Sequence, residues 1–457
     1  MLFYHNKYKS VHHKSVPDFE CKDAVTIQLP LYNELYVVER LINAVCDIDY
    51  PKDKLEIQVL DDSTDETIEV VRNIVEEKKK LGFDITFIHR ENRQGFKAGA
   101  LKEGLEKAKG KYIAIFDADF IPRKDFLKKT LSFFNDENVG MVQSRWEHLN
   151  SNHSILTKAQ ALALDGHFVI EQTVRNKAGF FINFNGTGGV WRKDCIVDAG
   201  NWNSDTLTED LDLSYRAQLN GWKFVFLKDF TSPAELPSEI NALKTQQFRW
   251  TKGAIETAKK VLPLVWKSKI SLRVKLQSTF HLSNNLVFPF ILLAAILNVP
   301  LIFIKNSGSH EVYFAFMSVF VLAFISTFLF YLYSQKDVRS DWHKKIVFFP
   351  LFMAGSMGMA VNNSRAVFEG LLNRKSEFVR TPKFMVVNEK DTWTGKKYLN
   401  SRIGFSVIVE LIMAIYCLIG VLSSIYFLEI AALPFQLLFF TGFSFVAITS
   451  IRHALSK

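Results

Sequence analysis

The chain has 457 residues, 48% of them apolar and 23% charged, with a formal net charge of +9. That length allows two or three domains of ordinary size, while cysteines scattered at 21, 46, 195 and 417 exclude a disulfide framework or a zinc-ligand spacing. The basic balance is read as positive-inside loops facing acidic lipid rather than as a nucleic-acid-binding surface.

Residues 1–23 form a polar, basic tail without the apolar core and small-residue cleavage site of a secretory signal. The domain after it is therefore expected in the cytosol, and His12 and His13 are expected to be solvated. "AVTIQLPLYNE" starts as a buried strand and is expected to break at Pro30; "EIQVLDDSTDE" repeats the plan of strand followed by acids. "DETIEVVRNIVEEKKKLG" carries acids in its first turn, lysines in its last and Gly82 beyond, the signature of a capped amphipathic helix. A strand "ITFIH", a helix "KAGALKEGLEKAKG" and a strand "YIAIF" follow. Alternating strands and helices predict a mostly parallel sheet, whose ligands bind beyond the carboxyl ends of its strands. Asp61 and Asp62 follow one strand, and Asp117 and Asp119 follow another, so one site is expected to use both pairs. A D-x-D at a strand end suits Mg²⁺ or Mn²⁺ that keeps phosphate oxygens in its shell.

Further along, Glu209 and Asp210 sit at a helix start after Thr208, and "QQFRW" follows at 246–250. Residues 263–281, with Lys267, Lys269, Arg273 and Lys275 beside Leu272, Leu276 and Phe280, suit a basic amphipathic helix in the membrane surface. Runs of 19, 22, 26 and 22 residues at 286–304, 312–333, 403–428 and 430–451 contain only Glu410 as a charge. About 20 apolar residues cross a bilayer core, so four spans are expected, the first two in 282–333 and the last two in 403–451. The loop 334–345 holds four Lys/Arg and 362–402 holds nine, against Lys305 alone in 305–311. Both basic segments therefore belong inside, and 346–361 is read as a re-entrant or interfacial helix within the cytosolic segment 334–402. Glu410 could line a polar path or pair within the bundle.

The ordered set "DDS", "DAD", "TED" and Q-x-x-R-W resembles the processive branch of glycosyltransferase family 2, and within it the cellulose-synthase-like mannan and glucan synthases and their bacterial relatives. "GFKAGAL", "VQSRW", "FNFNGTGGVWR" and "GWKF" stand in the same order. The resemblance implies a GT-A fold over residues 24–262, a nucleotide-diphosphate-sugar donor, and Mg²⁺ or Mn²⁺ on Asp117 and Asp119. It implies donor contacts from Asp61, Asp62, Lys97, Asp117 and Gln246. Asp210 would be the general base, with Glu209 and Arg249 beside it as further catalytic residues. Trp250, Asn185, Gly186 and Thr187 would line the acceptor, and Thr381 and Lys383 of "FVRTPK" would belong to a loop covering the loaded site. Attack opposite the leaving group would convert an α-linked donor into a β-linked product.

The chemistry suits these residue types on its own terms: a hydroxyl nucleophile needs a base, and a departing diphosphate needs positive charge. The expected protein is an integral membrane hexosyltransferase of the plasma (inner) membrane, extending a glycan from GDP-mannose or UDP-glucose, with room for an accessory export subunit. Single transfer to a polyprenyl phosphate or diacylglycerol, or plain nucleotide-sugar binding, are the rival readings. Relatives usually begin with a membrane helix, which this chain replaces by its polar tail; either that start is truncated or this member dispenses with the helix.

Overall fold

The computed structural model describes residues 1–8, 22–308, 310–317, 319–376, 378–399 and 403–456. Cys21, His12 and His13 lie outside these residues. Val25–Leu31 (β1), Leu55–Asp61 (β2), Asp84–His89 (β3) and Tyr112–Ile115 (β4) are the four parallel strands that the apolar runs predict. Val139–His148 (β5), Gly189–Arg192 (β6) and Lys223–Ala234 (β7) complete one sheet in the order β3-β2-β1-β4-β6-β5-β7, with β6 antiparallel to both its neighbours. Helices cover both faces. Val38, Leu41, Val71, Val75 and Phe126 pack on one side, and Leu101, Leu105, Phe168, Trp191 and Leu213 on the other. That double cover explains why β1, β2 and β4 are buried nearly throughout, the polar Thr26, Gln28, Glu56 and Gln58 included.

β1 does not break at Pro30; it continues to Leu31, with Pro30 in register with Leu60. Gln28 accepts from the Phe116 N–H on the β4 side, whereas Leu31 accepts from Asp62 on the β2 side. Pro30 therefore turns its missing N–H toward β4, whose ladder with β1 has already ended at Gln28, so no sheet hydrogen bond is lost. The chain leaves β1 for β2 and β3 on one side and crosses to β4 on the other. A crevice opens at such a reversal, beyond the carboxyl ends of the strands.

The tail is not irregular throughout, because Leu2–Tyr8 is helical and packs Tyr4 edge-on to Phe180. The helix carrying "QQFRW" runs unbroken from Ile240 to Lys267, past the expected boundary at 262, and a second helix, Leu272–Ser283, leads through one tight turn into Val287–Asn306.

Among the described residues, four helices are long and apolar enough to cross a membrane: Leu272–Asn306, Val312–Val338, Phe405–Tyr426 and Leu433–Leu455. Trp342–Gly358 and Ala360–Leu371 form a pair bent by 45°. The pair leaves the sheet domain where Lys345 donates to Asn152 at 2.5 Å and comes back to it where Lys259 donates to the Leu371 carbonyl at 2.8 Å. Its turn lies against the middle of the fourth apolar helix, so closely that a Cβ on Gly358 would stand 2.2 Å from the Gly442 oxygen. Both ends of the pair are thus held by the sheet domain. At the opposite end of the helices Lys305 and Asn306 meet Glu429.

Candidate active site

The acids after β2 and β4 open into one cleft, which Asp62, Lys97, Asp117, Asp119, Glu209, Asp210, Gln246, Arg249 and Trp250 line together. Asn185, Gly186, Thr381 and Lys383 line it too. More than 50 positions in sequence separate Asp62 from Asp117; parallel pairing of β2, β1 and β4 brings their carboxyl ends to one sheet edge.

Two expected ligand residues are corrected. Asp61, the last residue of β2, is fully buried and binds the His89 ring at 2.7 Å, tying β2 to β3 behind the cleft. Its side chain alternates to the face opposite Asp62, as the period of an extended chain requires. Thr187 is also fully buried, and its hydroxyl accepts from the Asp117 N–H at 2.8 Å. It holds the backbone of "DAD" rather than facing a ligand.

Glu209 and Asp210 open the helix Glu209–Leu219, where a carboxylate is favoured by the helix dipole. The Leu211 N–H binds Asp210 Oδ1 at 2.8 Å. The other oxygen faces Gly186, where an added Cβ would lie 3.1 Å from Oδ2 and 3.5 Å from Lys97 Nζ. Gly186 also has φ +80, a backbone state that glycine adopts without a Cβ penalty. Burial, and then the charge of Glu209, push the Asp210 carboxyl up to about 7. Burial likewise raises the Glu209 carboxyl, against the pull of Lys97.

Lys97 bridges Asp117 Oδ1 at 2.5 Å and the Gly186 carbonyl at 2.9 Å. Burial disfavours its charge, but Asp117 prevails and holds the ammonium above its usual range. On the other acid of "DAD", Lys383 donates to Asp119 Oδ2 at 2.6 Å and to the Glu235 carbonyl at 2.9 Å. The 378–384 segment is thus folded into the cleft. Arg380 approaches Glu34 at 3.1 Å, and Phe378 stacks on Phe96 with ring centroids 5.6 Å apart, the Arg249 guanidinium 4.5 Å from its centroid. Trp250 stands beside Trp146, with centroids 6.4 Å apart.

Several cleft residues escaped the sequence reading: Tyr32, Glu34, Arg93, Trp146, His148, Glu235, Phe378 and Arg380. Arg93 lies 3.3 Å from the Tyr32 ring centroid, and burial drives the Glu34 carboxyl up to about 8 in spite of Arg380. Phe378 and Arg380 lie within "FVRTPK" and could have been singled out there. Glu34, three residues beyond β1, carries no local signal.

Among the described residues no group of three His, Cys, Asp or Glu side chains could hold a metal by itself. Asp117 and Asp119 offer two carboxylates in one cleft, each facing a lysine cation at 2.5–2.6 Å. That donor set fits a hard divalent ion that takes its remaining oxygens from a diphosphate.

Residues 23–253 match the family described as "Glycosyltransferase like family 2". A glucomannan 4-beta-mannosyltransferase 9 of Arabidopsis thaliana is 35% identical over 413 residues, 86% of this chain and 74% of that relative. The chain belongs to glycosyltransferase-like family 2. Glucomannan 4-beta-mannosyltransferase 1 of Oryza sativa subsp. japonica is 43% identical to this family 2 chain over 266 residues, 57% of it and 50% of the relative. The family 2 chain thus spans about half the length of the first curated relatives it matches. Among solved structures, the mannosyltransferase PcManGT from Pyrobaculum calidifontis, in complex with GDP-Man and Mn²⁺, superposes with a TM-score of 0.58 at 19% identity. The match covers 82% of this chain and 95% of that one, and carries the GT-A fold.

Proposed function

We propose that the chain is an inverting, metal-dependent hexosyltransferase of the membrane that adds sugars from a nucleotide-diphosphate donor to a growing β-linked glycan. The observation that carries this reading is the free oxygen of Asp210, facing the one place in the cleft that a glycine keeps open between it and Lys97. A carboxyl raised to about 7 is matched to taking a hydroxyl proton near neutral pH. In this reading Asp210 Oδ1 is held by the Leu211 N–H, and Oδ2 receives the acceptor proton as the hydroxyl attacks the anomeric carbon. Lys97 and Arg249 supply fixed positive charge toward the departing diphosphate. Asp117 and Asp119 would hold Mg²⁺ or Mn²⁺, whose chemistry when bound is to neutralise charge on the phosphate oxygens.

Mannose in the names of the relatives and GDP-Man in the solved neighbour support GDP-mannose over UDP-glucose. Four apolar helices beside the sheet domain support a membrane enzyme; the cytosolic face, the plasma membrane and an export subunit are further parts of this proposal. A second reading, single transfer to a lipid, draws on an apolar cavity lined by Phe288, Phe352, Met359 and Phe445 that reaches Gln247, next to the cleft residue Gln246.

Purified protein incubated with labelled GDP-mannose or UDP-glucose and Mn²⁺ tests both readings. A high-mass product sensitive to a β-glycanase is expected, and chelator should abolish it. A chloroform-soluble monoglycosylated lipid as sole product would replace the polymerase reading.

A further inference from the structure

The basic loop 334–345 does more than satisfy a charge rule. It folds Arg339 and Lys345 against Lys158, from the helix Ile155–Asp165, around a narrow crevice whose wall is completed by Ser151, Gln335 and Phe348. The pocket lies where the second apolar helix ends at Val338 and where the bent pair departs. Trp342, with the Lys336 ammonium 5.3 Å from its ring centroid, stands beside it, as aromatic residues do at the level of lipid headgroups. All three cations are half-buried.

The charge around them is uneven. Asp165 is the one acid lining the pocket, and it is already engaged by Arg339 Nε at 3.0 Å, Gln335 Nε2 at 3.1 Å and His148 at 3.4 Å. Lys345 donates only to the neutral Asn152, and Lys158 rests 5.3 Å from the Phe348 ring centroid. Among the described residues neither lysine has a carboxylate within ion-pair distance. Burial, then the charge of Arg339, holds the Lys345 ammonium below its usual range, with Lys158 adding to the effect and Asp341 opposing it. Three cations are thus brought together at the end of the second apolar helix with one neutralised acid among them.

We propose that this pocket binds the phosphate of an anionic phospholipid from the leaflet facing the sheet domain. Clustered Lys and Arg next to the end of a membrane helix attract anionic lipid headgroups. The two lysines supply the free charge, and Arg339, pinned to Asp165, supplies an oriented donor. The acyl chains would leave past Phe348 into the bilayer.

The test uses full-length protein in nanodiscs and needs no turnover, so it is independent of the glycosyltransferase reading. Spin-labelled phosphatidylglycerol and phosphatidylcholine are compared for the immobilised fraction. The wild type should immobilise phosphatidylglycerol in preference. Lys158→Gln with Lys345→Gln should lower that preference about 30-fold, at roughly fivefold for each basic residue beside an anionic lipid. The matching pair Lys158→Arg and Lys345→Arg should retain it, which separates charge from folding. Absence of preference in the wild type, or an equal preference in the Gln variant, overturns the proposal. Excess inorganic phosphate should leave the labelled lipid in place; displacement would reassign the pocket to free phosphate.

Discussion

Asp210 concentrates the chemistry of the cleft in one atom. Its Oδ1 is occupied by a backbone N–H and its Oδ2 faces Gly186, so Asp210→Asn preserves shape and removes only the basic oxygen. Transfer is expected to fall by about 10² to 10⁴, while donor affinity measured by calorimetry changes little. A variant that keeps a tenth of the rate takes Asp210 out of the role. The carboxyl is raised to about 7 by burial and by Glu209, and a base acts only when deprotonated. The rate at saturating donor should therefore rise with pH up to about 7 and level above it, and a flat profile across that interval would contradict the assignment. Gly186 is legible as a motif glycine, but its reason is not. Only the fold reveals that a Cβ there would crowd the base.

At the scale of elements, the 378–384 segment is held by contacts that two other elements provide. Phe378 stacks on Phe96 at the start of the helix Phe96–Lys107 and has the Arg249 guanidinium 4.5 Å from its ring centroid. An aromatic pair contributes about 0.5–1.5 kcal/mol beyond its buried area and a cation over a ring a similar amount. Phe378→Ala should therefore raise the open population of the segment by roughly 10-fold or more, read as faster amide exchange over 378–386 and a lower turnover rate. Unchanged exchange would show that Lys383 and Arg380 alone hold it. The bent pair makes a second element-scale prediction. Because both its ends return to the sheet domain, single cysteines at Asn306 and Lys396 should label from opposite sides of the membrane. Labelling from one side would require a fifth crossing.

Across the whole molecule, the sheet domain and the membrane helices are joined by a buried ion pair. Lys244, two residues before Gln246 of the Q-x-x-R-W motif, meets Glu410 of the third apolar helix at 2.7 Å, and both are buried. Removing one partner strands a buried charge, so Glu410→Ala should destabilise the fold by about 3–5 kcal/mol, seen as a lower unfolding midpoint in detergent. Lys244→Met with Glu410→Leu should recover most of it. Recovery failing in the double variant would mean the pair does more than fill its own space.

Glu410 itself stood out in sequence as the lone charge of an apolar run, yet its partner lies 166 positions away. That contrast runs through the chain. Periodicity, turn residues and apolar length are local properties, so the parallel strands, the helix after "TED", the four apolar helices and the acids beyond β2 and β4 could be read from the residues alone. What each side chain faces is decided by packing between distant segments. Asp61 and Asp62 are neighbours in "DDS", but the pleat sends one to His89 behind the sheet and the other to the cleft. Pro30 looks like a strand breaker until the ladder beside it is seen to have ended. Glu34, Arg93 and the three cations around the 158–345 pocket become sites only when elements far apart in sequence close around them.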